Sequence, residues 1–333
     1  MSSDLLVIER EARLGTSAKA SVDPLPRRLE QALPAPLAGE LPAGQAGSAA
    51  ETVPGATRLV TPSATTRDWV QLTKPRIVVM VLVTASVAAF VAAGSDLGAV
   101  LLFHTLLGTG LIGASAGVMN QIWEREIDGR MARTSRRPLP TGRIGMPAAV
   151  AYCSLLGGAG TLYLWQTAGI VPAAWGVATW LTYVVIYTPL KTRTSFNTTV
   201  GAVSGALPMM IGYTAAGGGS GDLIGWLLVA VLMVWQYPHF MAIAWMYRRE
   251  YGEAGFRMTP VVEPTGRSAA WQAVLGSVAL LAVLIGLTLL LVSGPLRWGF
   301  AAAMVLTTFG LLTASLRFAR DRDTPSASRM MRA

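Results

Sequence analysis

The sequence predicts an all-α, polytopic membrane-spanning bundle, and three observations predict it. Only 14% of the 333 residues are charged and 52% are hydrophobic, with a mean hydropathy of +0.48. A soluble domain carries about 25% charged residues. Eight uncharged runs follow one another between residues 77 and 316, each near the ~20 residues that cross a bilayer as a helix. The Lys and Arg between those runs fall almost wholly on alternate connections.

Residues 1–66 are rich in Ala, Pro and Gly without a sustained apolar period, and read as a disordered tail. They contain no apolar signal-peptide core. Asp4, Glu9, Glu11, Asp23, Glu30, Glu40 and Glu51 argue against an acid-poor mitochondrial transit peptide. A bacterial inner membrane is the expected address. The spanning domain is assigned to 67–320, with runs at 77–93, 98–119, 147–165, 170–187, 198–216, 223–246, 269–292 and 298–316. Residues 321–333 read as a basic tail.

One set of connections carries Arg67, Lys74, Arg76, six arginines in 120–146, Lys191, Arg193, four arginines in 247–268 and five after 316. The other set carries only Arg297. This asymmetry places both termini and the loops 120–146, 188–197 and 247–268 in the cytoplasm. It also explains the net charge of +9 without nucleic acid; the partner is the lipid bilayer. The single cysteine, Cys153, excludes an internal disulfide framework and a CxxC site, and reads as a packing residue.

The chemistry concentrates in "NQIWEREIDGRMARTSRRPLP", residues 120–140. On a helix continued past Met119, Asn120, Glu124 and Asp128 drift by only ~40° per step and share one stripe, whereas Glu126 faces away. Two carboxylates and an amide oxygen suit a hard cation such as Mg²⁺, which is commonly shared with a substrate phosphate. Arg130, Arg133, Arg136 and Arg137 suit a polyanion such as diphosphate. The residues alone leave two readings open: a metal-bridged diphosphate site, or a positive-inside loop whose acids balance its arginines. The two prolines in "RRPLPTG" favour the first, because they stiffen the chain beside the arginines.

Other segments carry weaker signals. Glu250 and Glu253 follow a spanning run and read either as a second carboxylate group or as a solvated helix end. Lys191 and Arg193 lie on the same side as the first cluster and could meet the same anion. Tyr187 reads as an interface tyrosine or a phosphate contact. His104 and His239 sit inside apolar runs, where packing competes with a ligand-pocket role. Trp226, Met233, Trp235, Met241 and Trp245 could wall a chamber or simply pack.

The residues 120–144 resemble the first aspartate-rich motif of the UbiA-type intramembrane prenyltransferases, and more narrowly the heme-farnesylating branch. That version runs N-x-x-x-E-x-x-x-D-x-x-M-x-R-T-x-x-R-P-L-P-x-G. It is met from Asn120, Glu124 and Asp128 through Met131, Arg133, Thr134, Arg137, Pro138, Leu139 and Pro140 to Gly142. "LTKPRI" (72–77), "YTPLKTRTSFN" (187–197), "WQYPHF" (235–240) and "EYGEAGFRMTPVV" (250–262) match further family segments, so that the likeness covers residues 68–320.

The resemblance implies Mg²⁺ on Asn120, Glu124, Asp128 and Glu250, with diphosphate bound by Arg133, Arg136, Arg137, Lys191 and Arg193. It implies His239 at a heme pocket, farnesyl diphosphate and heme B as substrates, heme O as product, and a downstream heme A synthase as partner. Acceptors of aromatic or chlorin type are the alternative within the family, and a non-catalytic heme-binding or transport protein is the alternative outside it. A transporter would place acids near the bilayer midplane, and none of the eight runs holds one. Three departures stand out: Glu250 replaces an aspartate, Arg257 replaces a proline, and Thr259 replaces a leucine. The family fold carries nine spanning helices, of which eight are readable here.

Overall fold

The structure is a computed structural model of the chain and describes residues 63–333. Positions 1–62 of the expected tail lie outside the described residues. Among these residues, seven helices are long and apolar enough to cross a membrane. They are α2 (Pro75–Ala93), α3 (Ala99–Trp123), α5 (Met146–Ala168), α6 (Ile170–Leu190), α9 (Leu223–Met246), α12 (Arg267–Leu291) and α13 (Leu296–Asp321).

The run at 198–216 forms two shorter helices, α7 (Asn197–Ala206) and α8 (Pro208–Ala215). Pro208 divides them, since it lacks an N–H and its ring crowds the preceding turn. The break lets α8 lie directly on α2. A Cβ at Gly212 would stand 1.9 Å from the Ala85 carbonyl oxygen, so only glycine permits that approach.

Spanning helices in lipid gain little from apolar burial against each other; close packing of small residues and interhelical hydrogen bonds take over. The chain follows that rule. Ala85, Ala88 and Ala89 line the buried side of α2. Between α3 and α5, Ser115 Oγ donates to the Cys153 carbonyl at 2.9 Å and accepts from Trp180 Nε1 at 3.1 Å. Cys153 is buried in this contact, as a packing residue should be. Ser277 and Ser315 join α12 to α13 at 2.9 Å.

Short helices without long apolar runs complete the fold. Helix α1 (Thr66–Leu72) opens on a capping box: the Asp68 N–H donates to Thr65 Oγ1, and the Thr65 N–H donates to Asp68 Oδ2 at 3.0 Å. Helix α4 (Arg125–Arg130) prolongs α3, and α10 (Arg248–Glu253) and α11 (Thr259–Val262) follow α9. The segment read as a basic tail instead folds as α14 (Thr324–Arg332). Asp323 caps it, and Ala327 and Met330 pack with Met241, Trp245 and Phe318.

Two polar connections are anchored by apolar contacts of their own. Leu139 and Ile144 pack with Leu72, Val118, Ala149 and Cys153, seating the arginine loop on α1, α3 and α5. Met131 packs with Tyr251, Ala254 and Phe256, joining that loop to the one after α9. These two anchors position the site.

Candidate active site

The helical stripe read from the spacing survives a bend. Helix α3 ends at Trp123, and Glu124 takes a non-helical conformation before α4 resumes. The i to i+4 ladder nonetheless continues, from the Glu124 N–H to the Asn120 carbonyl at 3.0 Å and from the Asp128 N–H to the Glu124 carbonyl at 2.7 Å. Asn120, Glu124 and Asp128 are all buried, whereas the Glu126 side chain is 78% exposed. A buried triad beside an exposed acid separates this group from a solvated loop.

Each of the three oxygen donors faces a cation from a different part of the chain. Lys74 Nζ donates to Asn120 Oδ1, Lys191 Nζ donates to Glu124 Oε1 at 2.7 Å, and Arg137 Nη1 donates to Asp128 Oδ2 at 2.6 Å. Asn120 Nδ2 in turn donates to Thr188 Oγ1 at 3.1 Å. Lys191 also lies 4.6 Å from the centre of the Tyr187 ring, a cation–π contact. Burial pushes the Glu124 carboxyl up, but the Lys191 and Lys74 charges outweigh it and hold the group below its ordinary value. Asp128 goes the other way: burial outweighs the Arg137 charge and raises it. Burial alone would lower the Lys191 ammonium, and the Glu124 charge instead raises it.

Glu124, Asp128, Lys74, Arg133, Arg137, Tyr187 and Lys191 line one cavity of about 830 Å³, near the upper end of the size range of ligand pockets. Val70, Ile77, Phe240, Ile243 and Phe256 add apolar wall. Lys74 was not singled out in the sequence, although "LTKPRI" contains it. Its backbone is left-handed at φ 52°, immediately before Pro75 opens α2. Strain of this kind costs about 1–3 kcal/mol and collects at functional sites. The elbow of residues 71–74 docks on α3 because Gly117 has no side chain: a Cβ there would stand 2.9 Å from the Thr73 carbonyl oxygen.

The other expected residues are brought in less completely. Glu250 does not line the cavity; its Oε1 accepts from the Arg133 N–H at 3.4 Å. The reason is local, since the neighbouring Tyr251 is the buried, cavity-lining residue of α10. Among the described residues no three His, Cys, Asp or Glu side chains converge as a metal-binding group. Arg136 is exposed, and its carbonyl accepts from Arg143 Nη2 at 3.1 Å. Arg193 is exposed, and its carbonyl accepts from Arg257 Nη1 at 3.3 Å. Successive turns in both loops send adjacent cations in different directions. Arg143 ties the arginine loop to α1 through Asp68 Oδ1 at 3.0 Å. The Thr65 backbone bond, the Thr65 hydroxyl and the Arg143 charge together lower Asp68 to about 2.

His239 stacks on Trp235, with ring centres 5.0 Å apart, and is absent from the cavity wall; the next residue, Phe240, lines it. Trp226 and Trp235 are exposed, and Met241 and Trp245 belong to the helix-packing core. Glu253 pairs with Arg249 at 3.6 Å on the surface, as a solvated helix end would.

Residues 81–333 match the UbiA prenyltransferase family. The chain belongs to that family. The protoheme IX farnesyltransferase of Rhodopirellula baltica is 52% identical over 270 residues, covering 79% of this chain and 93% of that protein. The protein of the same name from Solibacter usitatus is 39% identical, over 77% and 89% of the two chains. Solved structures share the UbiA fold at low identity. A UbiA homolog from Archaeoglobus fulgidus bound to DMAPP and Mg²⁺ superposes with a TM-score of 0.62 at 14% identity, covering 80% of this chain and 99% of that one. A digeranylgeranylglyceryl phosphate synthase gives a TM-score of 0.67 at 13% identity, over 80% and 91%. The chain is thus a UbiA-type membrane prenyltransferase.

The residues present fit a hard cation. Three oxygen donors on one buried stripe, each now balanced by an ammonium or guanidinium, form a site that a metal and a phosphate oxygen could share.

Proposed function

We propose that this UbiA-type enzyme transfers the farnesyl group of farnesyl diphosphate to a vinyl group of heme B, giving heme O. The observation that carries the reading is the convergence of Lys74, Lys191 and Arg137 on the buried Asn120–Glu124–Asp128 stripe, of which Glu124 and Asp128 line one large cavity together with the three cations. The relatives' shared name supports the choice of donor and acceptor.

Asn120, Glu124 and Asp128 would hold Mg²⁺, and Glu250 would join them only by a rotation away from the Arg133 amide. When bound, the metal neutralises charge on the leaving diphosphate. Arg133, Arg137 and Lys191 already face the cavity and stabilise the same charge as it develops. Lys191 is well placed, because leaving Glu124 for a phosphate oxygen exchanges one anion for another. Arg136 and Arg193 add to the basic field from the surface. The apolar wall of Ile77, Phe240, Ile243 and Phe256 accommodates the isoprenoid and keeps water from the allylic cation. The terminal vinyl carbon attacks that cation, and water adds to the adjacent carbon to leave the hydroxyethyl group.

The proposed setting is a bacterial inner membrane with both termini cytoplasmic, and a downstream heme A synthase that receives the product. A heme-pocket role for His239 requires heme to reach beyond the cavity described. Purified protein incubated with heme B, farnesyl diphosphate and Mg²⁺ tests the reading. It predicts a farnesylated, hydrated heme by mass; transfer to an aromatic quinone precursor but not to heme would refute it.

A further inference from the structure

Two residues of the cavity wall each hold a buried amide oxygen that no protein donor reaches. Gln121 is 1% exposed and Asn197 is fully buried, and both line the cavity. Neither Gln121 Oε1 nor Asn197 Oδ1 has a hydrogen-bond partner, whereas each amide nitrogen donates two hydrogen bonds. Gln121 Nε2 donates to the Leu72 carbonyl at 2.9 Å and to the Gln71 carbonyl at 3.2 Å. Asn197 Nδ2 donates to the Thr194 carbonyl at 2.6 Å and to the Arg257 carbonyl at 3.1 Å. Carbonyls only accept, so these partners fix which end of each amide is nitrogen. The bare oxygen is therefore a settled feature of each side chain. A buried acceptor without a donor costs about 1–3 kcal/mol. Native proteins retain such groups where a ligand or water supplies the hydrogen.

The donor that fits is water, which the proposed reaction consumes. After the vinyl carbon attacks, positive charge rests on the carbon attached to the porphyrin. Two fates compete. Water can form a C–O bond there and release a proton to the departing diphosphate. Alternatively the neighbouring CH₂ can lose a proton, giving an alkene lighter by one water. A bound water whose hydrogen is held by an amide oxygen keeps its lone pair free for the first route. Gln121 is the better placed of the two amides, because it stands in α3 one residue after Asn120 and three before Glu124, and Glu124 lines the same cavity. We infer that Gln121 Oε1 is a positioning group that holds the water which hydrates the prenylated heme.

This inference rests on heme as the acceptor, and its test separates the two claims, because each product molecule records its own partition. A protein that forms no farnesylated heme of either mass fails the functional reading. A protein that forms it normally, but with an unaltered partition in the variants, fails only this inference. Gln121→Met should lower the ratio of hydrated to dehydrated product by about tenfold, the factor for one ordinary hydrogen bond. Gln121→Glu, which keeps an oxygen at the same reach, should stay near wild type. Misfolded molecules contribute to neither product, so loss of the elbow contacts does not disturb the ratio. The wild-type enzyme supplies an independent reading in a few per cent methanol. A held water predicts no methoxy adduct, and a methoxy share in proportion to methanol would overturn the inference. A shift in Asn197→Leu without one in Gln121→Met would overturn it as well. So would an altered Mg²⁺ requirement in Gln121→Met at an unchanged product ratio.

Discussion

Lys191 Nζ stands 2.7 Å from Glu124 Oε1, although the two lie 67 positions apart in sequence; Glu124 is buried and the Lys191 side chain is only 12% exposed. Breaking one partner of a buried ion pair costs about 3–5 kcal/mol, because the other charge remains without compensation. Lys191→Met should therefore destabilise the protein on that scale in a thermal melt of the detergent-solubilised enzyme. Adding Glu124→Gln should recover a large part of the loss. Additive losses in the double variant would show that the two groups do not act as a pair.

The same pair fixes the sign of a pH effect. Glu124 is held below its ordinary value of 4.5, so its contribution is complete above that value. It is lost progressively as pH falls from that value through the lower folded one. Stability measured from pH 7 downward should thus decline more steeply below pH 4.5 in wild type than in Lys191→Met, where the holding charge is gone. Parallel declines would sink the assignment.

Glu124 and Glu126 share chemistry and neighbourhood but not burial. Glu124→Gln should lower the rate by roughly 10²–10³, as loss of a transition-state stabiliser does. Glu126 pairs with Arg125, at 3.6 Å on the surface. Glu126→Gln should stay within a few-fold, since such pairs contribute about 1 kcal/mol or less. Similar losses at matched expression would remove the metal stripe.

Glu250 offers a graded comparison. Its carboxylate bonds the Arg133 amide, which a glutamine oxygen can also accept. Glu250→Gln should consequently slow turnover less than Glu124→Gln, with Mg²⁺ dependence unchanged in shape. A raised Mg²⁺ requirement in Glu250→Gln alone would bring Glu250 into the metal shell during turnover.

Gly117 tests the elbow. Gly117→Ala places a methyl against the Thr73 carbonyl and should cost about 1–3 kcal/mol, as overpacking does. It should also raise KM for farnesyl diphosphate, because Lys74 moves with the elbow. Normal KM together with normal stability would show that the elbow is not a fixed part of the site.

The spanning helices were legible because composition and run length report directly on lipid burial. The exception, 198–216, contained its own warning in Pro208, which an uncharged run conceals. The acid stripe was legible too, since i to i+4 spacing is a local property that outlasted the bend at Glu124. Lys74 on Asn120 was not, because the two stand 46 positions apart and Lys74 itself sits on a left-handed elbow. Nor could spacing tell Arg137, which turns inward, from Arg136, which turns out: that choice depends on Leu139 seating the loop from below. Helices α1 and α14 went unread because short amphipathic segments leave no uncharged run.

The contact of Met131 with Tyr251 and Phe256 couples the loop that carries the acid stripe to the loop that carries Glu250. Ile127, Tyr247 and Met258 pack around the same point, so neither loop can lift away without exposing the apolar side chains of the other. The two loops therefore behave as one cooperative opening unit. Their amides should exchange over a single shared barrier, and a ligand gripped by either loop should slow exchange across both.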